Sequence, residues 1–498
     1  MYTIGFDVGS SSIKAALLDI ESGKITGSAT YPETEMAIAA PQPGWAEQEP
    51  VDWWDNIKAV TRQLQYDHPS AFRQVKAVGI TYQMHGLVMV GKDKQVLRPS
   101  IIWCDSRAVE IGNKACKALG EPFCLENFLN SPGNFTAAKL RWVQENEPEL
   151  FHKADKIMLP GDYIAMMLSG EITTTVSGLS EGILWNFRQN TLAHDLLDHW
   201  EIDPSLIADL KGTFSEQARI SKDASAELGI PAGTPIAYRA GDQPNNAFSL
   251  NVLEPGEVAT TAGTSGVVYG ILDEPAYDPA SRVNAFVHVN HTPEKPRYGV
   301  LLCINGTGIL NSWMRKNMFS NGQMDYHAMN DMAAQVKPGS EGVMVFPFGN
   351  GAERSLGNRD TGAAIQGISF NRHDQRHLCR AGQEGIVYAL AYGMEIMQEM
   401  GIRLETIKAG KANMFLSPVF REAFVNTTGA ELRLYDTDGA AGAARGAAVG
   451  GGLYASLKEA FTGLEDLGQQ QPEKNLSSLY QESYGCWKDQ LEVILNQH

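Results

Sequence analysis

The chain has 498 residues, 43% hydrophobic and 20% charged, with 41 Lys and Arg against 58 Asp and Glu for a net charge of −17. This is an ordinary globular composition, long enough for two domains of about 250 residues or three smaller ones. The acidic balance disfavours nucleic-acid and anionic-membrane partners, no apolar run reaches the roughly 18 residues of a membrane span, and the six cysteines lack the CxxC or His spacing of a zinc site and read as free thiols.

The opening residues enter a strand pattern with no basic or apolar leader before them, which predicts a cytoplasmic protein. Asp7-Val8-Gly9-Ser10-Ser11-Ser12-Ile13-Lys14 reads as a strand, a small polar turn and a second strand. Pro41 to Trp45 reads as an irregular loop, and Val51, Trp54, Ile57, Val60 and Leu64 then fall at helical spacing. Val75 to Val90 reads as strands interrupted by Gln83-Met84-His85-Gly86. Further on, Thr261-Ala262-Gly263-Thr264-Ser265-Gly266 echoes the first hairpin, Gly263 standing to Leu272 as Gly9 stands to Leu18. Either two Gly-Ser/Thr hairpins coincide, or the chain has two related halves joined near residue 250. Gln383 to Met400 predicts a long apolar helix, and the Gly and Ala run from Gly439 to Leu453 predicts a helix packed closely on a neighbour. The alternation of helix and strand favours an α/β fold.

No Gly-Lys pair is followed by Ser or Thr, so there is no P-loop, and no G-x-G-x-x-G follows a strand. The two hairpin turns offer another phosphate cradle: Gly, Ser and Thr expose backbone N–H groups and add hydroxyl donors. The candidate residues are Gly9, Ser10, Ser11, Ser12 and Lys14 in the first and Gly263, Thr264 and Ser265 in the second. Asp7 suits magnesium, which accepts few carboxylates and keeps several waters; the second hairpin has Thr261 at that offset. Asp242, in Arg239-Ala240-Gly241-Asp242-Gln243, reads either as a helix N-cap or as a general base for phosphoryl transfer. Gln83-Met84-His85-Gly86 and Trp103-Cys104-Asp105-Ser106-Arg107 read either as satisfied structural segments or as a polar-ligand pocket.

Together with Pro43-Gly44-Trp45-Ala46-Glu47-Gln48 and the stretch Thr136, Lys139, Leu140 and Trp142, these motifs resemble the FGGY carbohydrate kinases over essentially the whole chain, most closely their xylulokinase branch. The resemblance implies two ribonuclease-H-like α/β domains of the actin, sugar kinase and heat-shock ATPase superfamily, flanking a deep cleft. Residues 1–250 would carry sugar binding, and residues 251–498 would bind ATP. It further implies ATP-dependent phosphorylation of a sugar hydroxyl, with D-xylulose the expected substrate. Asp242 would be the base and Asp7 the magnesium-side carboxylate. Met84, His85, Trp103, Asp105 and Gln243 would lie at the sugar, and Gly410, Lys411 and Asn413 at the adenosine. Two departures stand out: the family's consecutive glycines shrink to Gly410, and Gln243 replaces an Asn. The alternatives are another FGGY substrate (gluconate, ribulose or glycerol) and an actin-like or chaperone-like ATPase switch. Homodimerisation is compatible with the family, and no sequence stripe identifies an interface.

Overall fold

The structure, a computed structural model, describes residues 1–319 and 325–497. The chain divides into two compact units, the first formed by Met1–Asn251, Phe286–Tyr298 and Thr437–Leu464, the second by Val252–Ala285, Gly299–Asp436 and Glu465–His498. Among the described residues no helix is long and apolar enough to cross a membrane.

The first unit is built on a six-stranded sheet of β1 (Tyr2–Val8), β2 (Ile13–Asp19), β3 (Ile25–Tyr31), β4 (Val75–Tyr82), β5 (Phe214–Arg219) and β6 (Pro235–Gly241), in the order β5-β6-β4-β1-β2-β3. β1 pairs antiparallel with β2 and parallel with β4, and β4 pairs parallel with β6. Both faces are covered, so the central strands are nearly continuously apolar: Ile4, Phe6, Val8, Val78 and Ile80 are all buried. The predicted first helix forms over Pro50–Asp67, with Pro at its first turn. It buries Trp53, Trp54, Ile57, Val60 and Leu64, whereas Val51 is half exposed, because the apolar face begins at Trp53 rather than at Val51.

The second unit repeats the plan in a seven-stranded sheet of β7 (Val258–Ala262), β8 (Gly266–Leu272), β9 (Asn284–Val287), β10 (Tyr298–Ile304), β11 (Thr406–Gly410), β12 (Glu431–Tyr435) and β13 (Asp466–Gln470), ordered β9-β10-β8-β7-β11-β12-β13. β7 pairs antiparallel with β8 and parallel with β11, β11 parallel with β12, and β12 antiparallel with β13. The two sheets therefore match strand for strand over six positions, β3-β2-β1-β4-β6-β5 against β10-β8-β7-β11-β12-β13. The hairpins at Gly9 and Gly263 thus occupy the same place in the two sheets. The long apolar helix runs over Gln375–Glu399 and starts earlier than its periodicity suggested, because Asp374 caps it and His377 bonds back to the capping residue.

The helix Gly439–Gly450 lies on β1 and β4 of the first unit, and its Gly and Ala composition is what lets it approach them. Contact is backbone to backbone: a Cβ on Gly5 would collide with Ala440 O, and one on Gly79 with Ala443 O. Gly79→Ala should therefore lower the thermal midpoint by about 5–10 °C, from the usual cost of overpacking a core. Gly485→Ala, where an added Cβ meets nothing within 4 Å, should leave the midpoint unchanged or raise it slightly. Scanning calorimetry of both variants checks this.

Candidate active site

Parallel strands that share a register end together, and loops leaving their carboxyl ends are where α/β sheets place ligands. In the first unit Val8 is in register with Tyr82, and Tyr82 with Gly241. The Gly9–Ser12 turn, the Gln83–Gly86 turn and the helix Asp242–Ser249 therefore emerge from three adjacent strand ends, with Asp7 one residue back in β1.

Asp7 is half-buried and faces Lys14 directly across the β1–β2 ladder. Burial pushes its carboxyl up to about 6; Lys14 opposes the rise and Asp438 adds to it. Asp438 caps the Gly439 helix by accepting from Ala441 N at 2.9 Å, and a Cβ on Gly439 would strike Asp7 Oδ2. The helix start thus comes against Asp7 only because position 439 is glycine. Asp242 opens its own helix with no side-chain cap bond at the N-terminus. Burial first, and then the charge of Asp7, push its carboxyl up to about 7, against hydrogen bonds from Gln243. Two carboxylates raised by burial, one of them further by the charge of the other, form a functional-site pattern.

The Gly9–Ser12 turn closes with Gly9 N donating to Ser12 O at 3.2 Å. Gln48 pins it to the neighbouring turn: its amide nitrogen donates to Ser10 O at 2.7 Å, while its amide oxygen accepts from Gln83 Nε2 and from Trp53 Nε1, each at 3.1 Å. Trp103, 48% exposed, donates its indole N–H to Ser10 Oγ at 3.3 Å, so it stands beside the Ser turn.

His85 adopts a positive φ of 61°. Its backbone N–H donates to Glu181 Oε2 at 3.1 Å, its ring Nδ1 lies 2.9 Å from Glu181 O, and its ring packs on Phe135 and Phe286. Met84 fills the space in front of Gly241. Glu181 is buried, and burial together with the charge of Asp242 holds its carboxyl well above the usual range. Lys139 is also fully buried. It donates to His85 O at 2.8 Å and to Ile102 O at 2.9 Å, and burial lowers its ammonium to about 7.

Asp105 has no exposed surface, and both of its oxygens are engaged: Oδ2 accepts from Ala46 N at 2.6 Å and from Arg107 Nη2 at 2.7 Å, and Oδ1 from Arg107 N at 2.9 Å. Arg107 also pairs with Glu47 at 2.8 Å and lies over Trp45, 3.7 Å from the ring centroid, while Trp142 meets Trp45 edge-on. Asp105 thus anchors the loops around the turn and does not present a free carboxylate.

In the second unit the equivalent strand ends release Gly263–Ser265 and Lys411–Asn413. Thr307 Oγ1 donates to Gly263 O and Thr264 O, each at 3.2 Å, and Gly308 N donates to Gly263 O at 2.9 Å, fixing the turn on the helix Gly308–Asn317. A cavity of about 440 Å³ opens beside it, lined among others by Gly263, Thr264, Ile309, Asn330, Asn413 and Ser417. Asn413 has a positive φ of 54° and stands next to Gly263. Ser265, Gly410 and Lys411 lie outside the lining; Gly410 ends β11 and Lys411 N donates to Tyr435 O at 3.0 Å.

Glu181, Phe286 and Asn330 had no sequence signal of their own. Asp438 did, as an Asp preceding a Gly-Ala helix.

The duplicated sheets and their edge turns define a ribonuclease-H-like kinase fold of the actin and hexokinase type. The family models for the N-terminal and C-terminal domains of FGGY carbohydrate kinases match residues 2–249 and 258–455, and the chain belongs to the FGGY family of carbohydrate kinases. Its chemistry is ATP-dependent phosphorylation of a sugar. It is 29% identical to the xylulose kinase of Escherichia coli strain K12, across 89% of this chain and 88% of that one. Among solved structures, the xylulose kinase of Rhodospirillum rubrum superposes with a TM-score of 0.88 at 24% identity, covering 99% of each chain. The gluconate kinase of Lactobacillus acidophilus gives a TM-score of 0.88 at 22% identity, covering 99% of this chain and 98% of its own.

Raised carboxylates destabilise the folded protein wherever they must ionise. The contribution of Asp242 to stability is fully present below its ordinary pKa of 3.8 and is lost as pH rises through about 7. Asp242→Asn should therefore unfold at a higher temperature than the parent at pH 8 in ligand-free buffer, with the gap shrinking towards pH 5. Paired thermal melts across that range read the difference.

Proposed function

We propose that this chain transfers the γ-phosphoryl group of ATP to the terminal hydroxyl of D-xylulose, giving D-xylulose 5-phosphate. The observation that carries the reading is the common strand edge from which Asp7, the Met84–His85 turn and Asp242 emerge, two of them carboxylates raised by burial, with Asp438 adding to the rise of Asp7 and Asp7 to that of Asp242. The similarity to xylulose kinases over most of the chain supplies the sugar.

In this mechanism Asp242, ionised, accepts the proton of the substrate hydroxyl. The hydroxyl oxygen bonds to the γ-phosphorus as the bond from that phosphorus to the β,γ-bridging oxygen breaks, and ADP leaves. Met84, His85 and Gln243 orient the ketose; Trp103 stands at the same edge, and Asp105 acts by holding Ala46 and Arg107. Gly9–Ser12 with Lys14, and Gly263–Ser265, are the phosphate turns. The 440 Å³ cavity with Asn413 takes the adenosine, with Gly410 and Lys411 shaping the strand end that delivers Asn413.

Asp7 fits magnesium. Its carboxyl is costly to ionise because it is buried and lies near Asp438, and a divalent ion would relieve that cost. Magnesium accepts few carboxylates and keeps several waters, so Asp7 with water and phosphate oxygens would suffice to hold it. Bound there, it would offset charge on the β- and γ-phosphates.

Asp242→Asn should keep its fold and its ADP affinity while losing about 10²–10⁴-fold in turnover, and the parent's kcat/KM should fall as pH drops below about 7. An ADP-release assay over ketoses, aldonates and polyols tests the substrate. A preference for gluconate, which the equally close gluconate kinase structure favours as the second reading, would replace xylulose and leave the kinase chemistry intact.

A further inference from the structure

The cavity of the second unit is walled on one side by the helix Tyr326–Ala334, which carries Asn330. Behind Asn330 lies Gln383, 1% exposed, from the middle of the long helix Gln375–Glu399. Gln383 Nε2 donates to Asn330 Oδ1 at 3.0 Å, and Gln383 Oε1 accepts from Ser417 Oγ at 2.7 Å. Ser417 in turn caps the helix Pro418–Thr428, its Oγ accepting from Phe420 N at 3.3 Å.

These bonds have a direction. The single proton of the Ser417 hydroxyl goes to the carbonyl oxygen of Gln383, while its oxygen accepts the capping N–H. That leaves the Gln383 amide nitrogen to donate to the carbonyl oxygen of Asn330. With its oxygen accepting from Gln383, Asn330, which lines the cavity, keeps its N–H2 for a partner there, and among the described residues that group donates to none. Gln383, buried and bonded at both ends, is held in place by these partners and in turn holds Asn330.

We propose that Asn330 is a specificity-determining residue for the nucleotide, presenting a hydrogen-bond donor to a ring nitrogen of the purine base, and that Gln383 and Ser417 are positioning residues that set its orientation. This rests on reading the cavity as the nucleotide pocket. Gln383 touches no ligand, and its effect comes through Asn330.

The test is calorimetric titration of the full-length protein with ADP and with 1-, 3- and 7-deaza-ADP, which needs no sugar. Ser312→Trp, at another lining position, probes the pocket itself and should weaken ADP by at least tenfold. Asn330→Asp, which replaces the donor by an acceptor, should also weaken ADP by about tenfold or more, and Gln383→Leu by about three- to tenfold. One deaza analogue should bind the parent several-fold more weakly than ADP, and Asn330→Ala should show no such difference. That coupling is a readout that mere loosening of the fold would not produce. It is available even if Gln383→Leu misfolds, since Asn330 is only half-buried. If Ser312→Trp weakens ADP but both Asn330 variants keep parental affinity and parental deaza preferences, the donor role is overturned and the pocket reading stands. If Ser312→Trp binds ADP like the parent, the pocket reading falls and the inference with it.

Discussion

The arrangement depends on keeping two carboxylates, Asp7 and Asp242, partly out of water at the end of one sheet. Burial is the larger cause of the raised pKa in both, and for Asp242 the charge of Asp7 comes next. A fold tolerates such a cost when the groups have work to do, and the surrounding structure is organised to hold them. Lys14 faces Asp7 across the hairpin, Gly439 lets a helix start against it, and the shared register of β1, β4 and β6 sets Asp242 two strands away.

Around this edge, residues that look like ligand contacts in the sequence are largely the fastenings of the loops. Gln48 ties the Ser turn to Gln83, Lys139 ties the His85 turn to Ile102, and Asp105 with Arg107 and Glu47 clamps the loops that bear Trp45 and Trp103. Several of these polar groups are wholly or nearly buried, so each must find a partner at a fixed place. The same partners then determine where Met84, His85 and Trp103 can stand.

The duplicated topology was legible because a Gly-Ser hairpin leading an antiparallel pair leaves a local mark, repeated at Gly263. The strand break at Gln83–Gly86 was legible for the same reason. Less could be read where distant segments meet. The Gly439–Gly450 helix announced close packing through its composition, but not that it would return to β1 and β4, since an Ala-rich face carries no address. Asp105 and Asp242 both read in the sequence as acids that could meet a ligand. In the structure Arg107 and Ala46 N consume the first, while the second has Asp7 for a neighbour. Glu181 and Asn330 were invisible because their roles come from partners far along the chain, His85 for one and Gln383 for the other.

The most direct test is the titration of Asp242 itself, followed by carbon NMR of protein labelled at its aspartate carboxyls and assigned with an Asp242→Asn variant. The account predicts a midpoint near pH 7 in the free protein, moving towards the ordinary carboxylate range when Asp7 is replaced by Asn. A midpoint near 4 that ignores the replacement of Asp7 would contradict it.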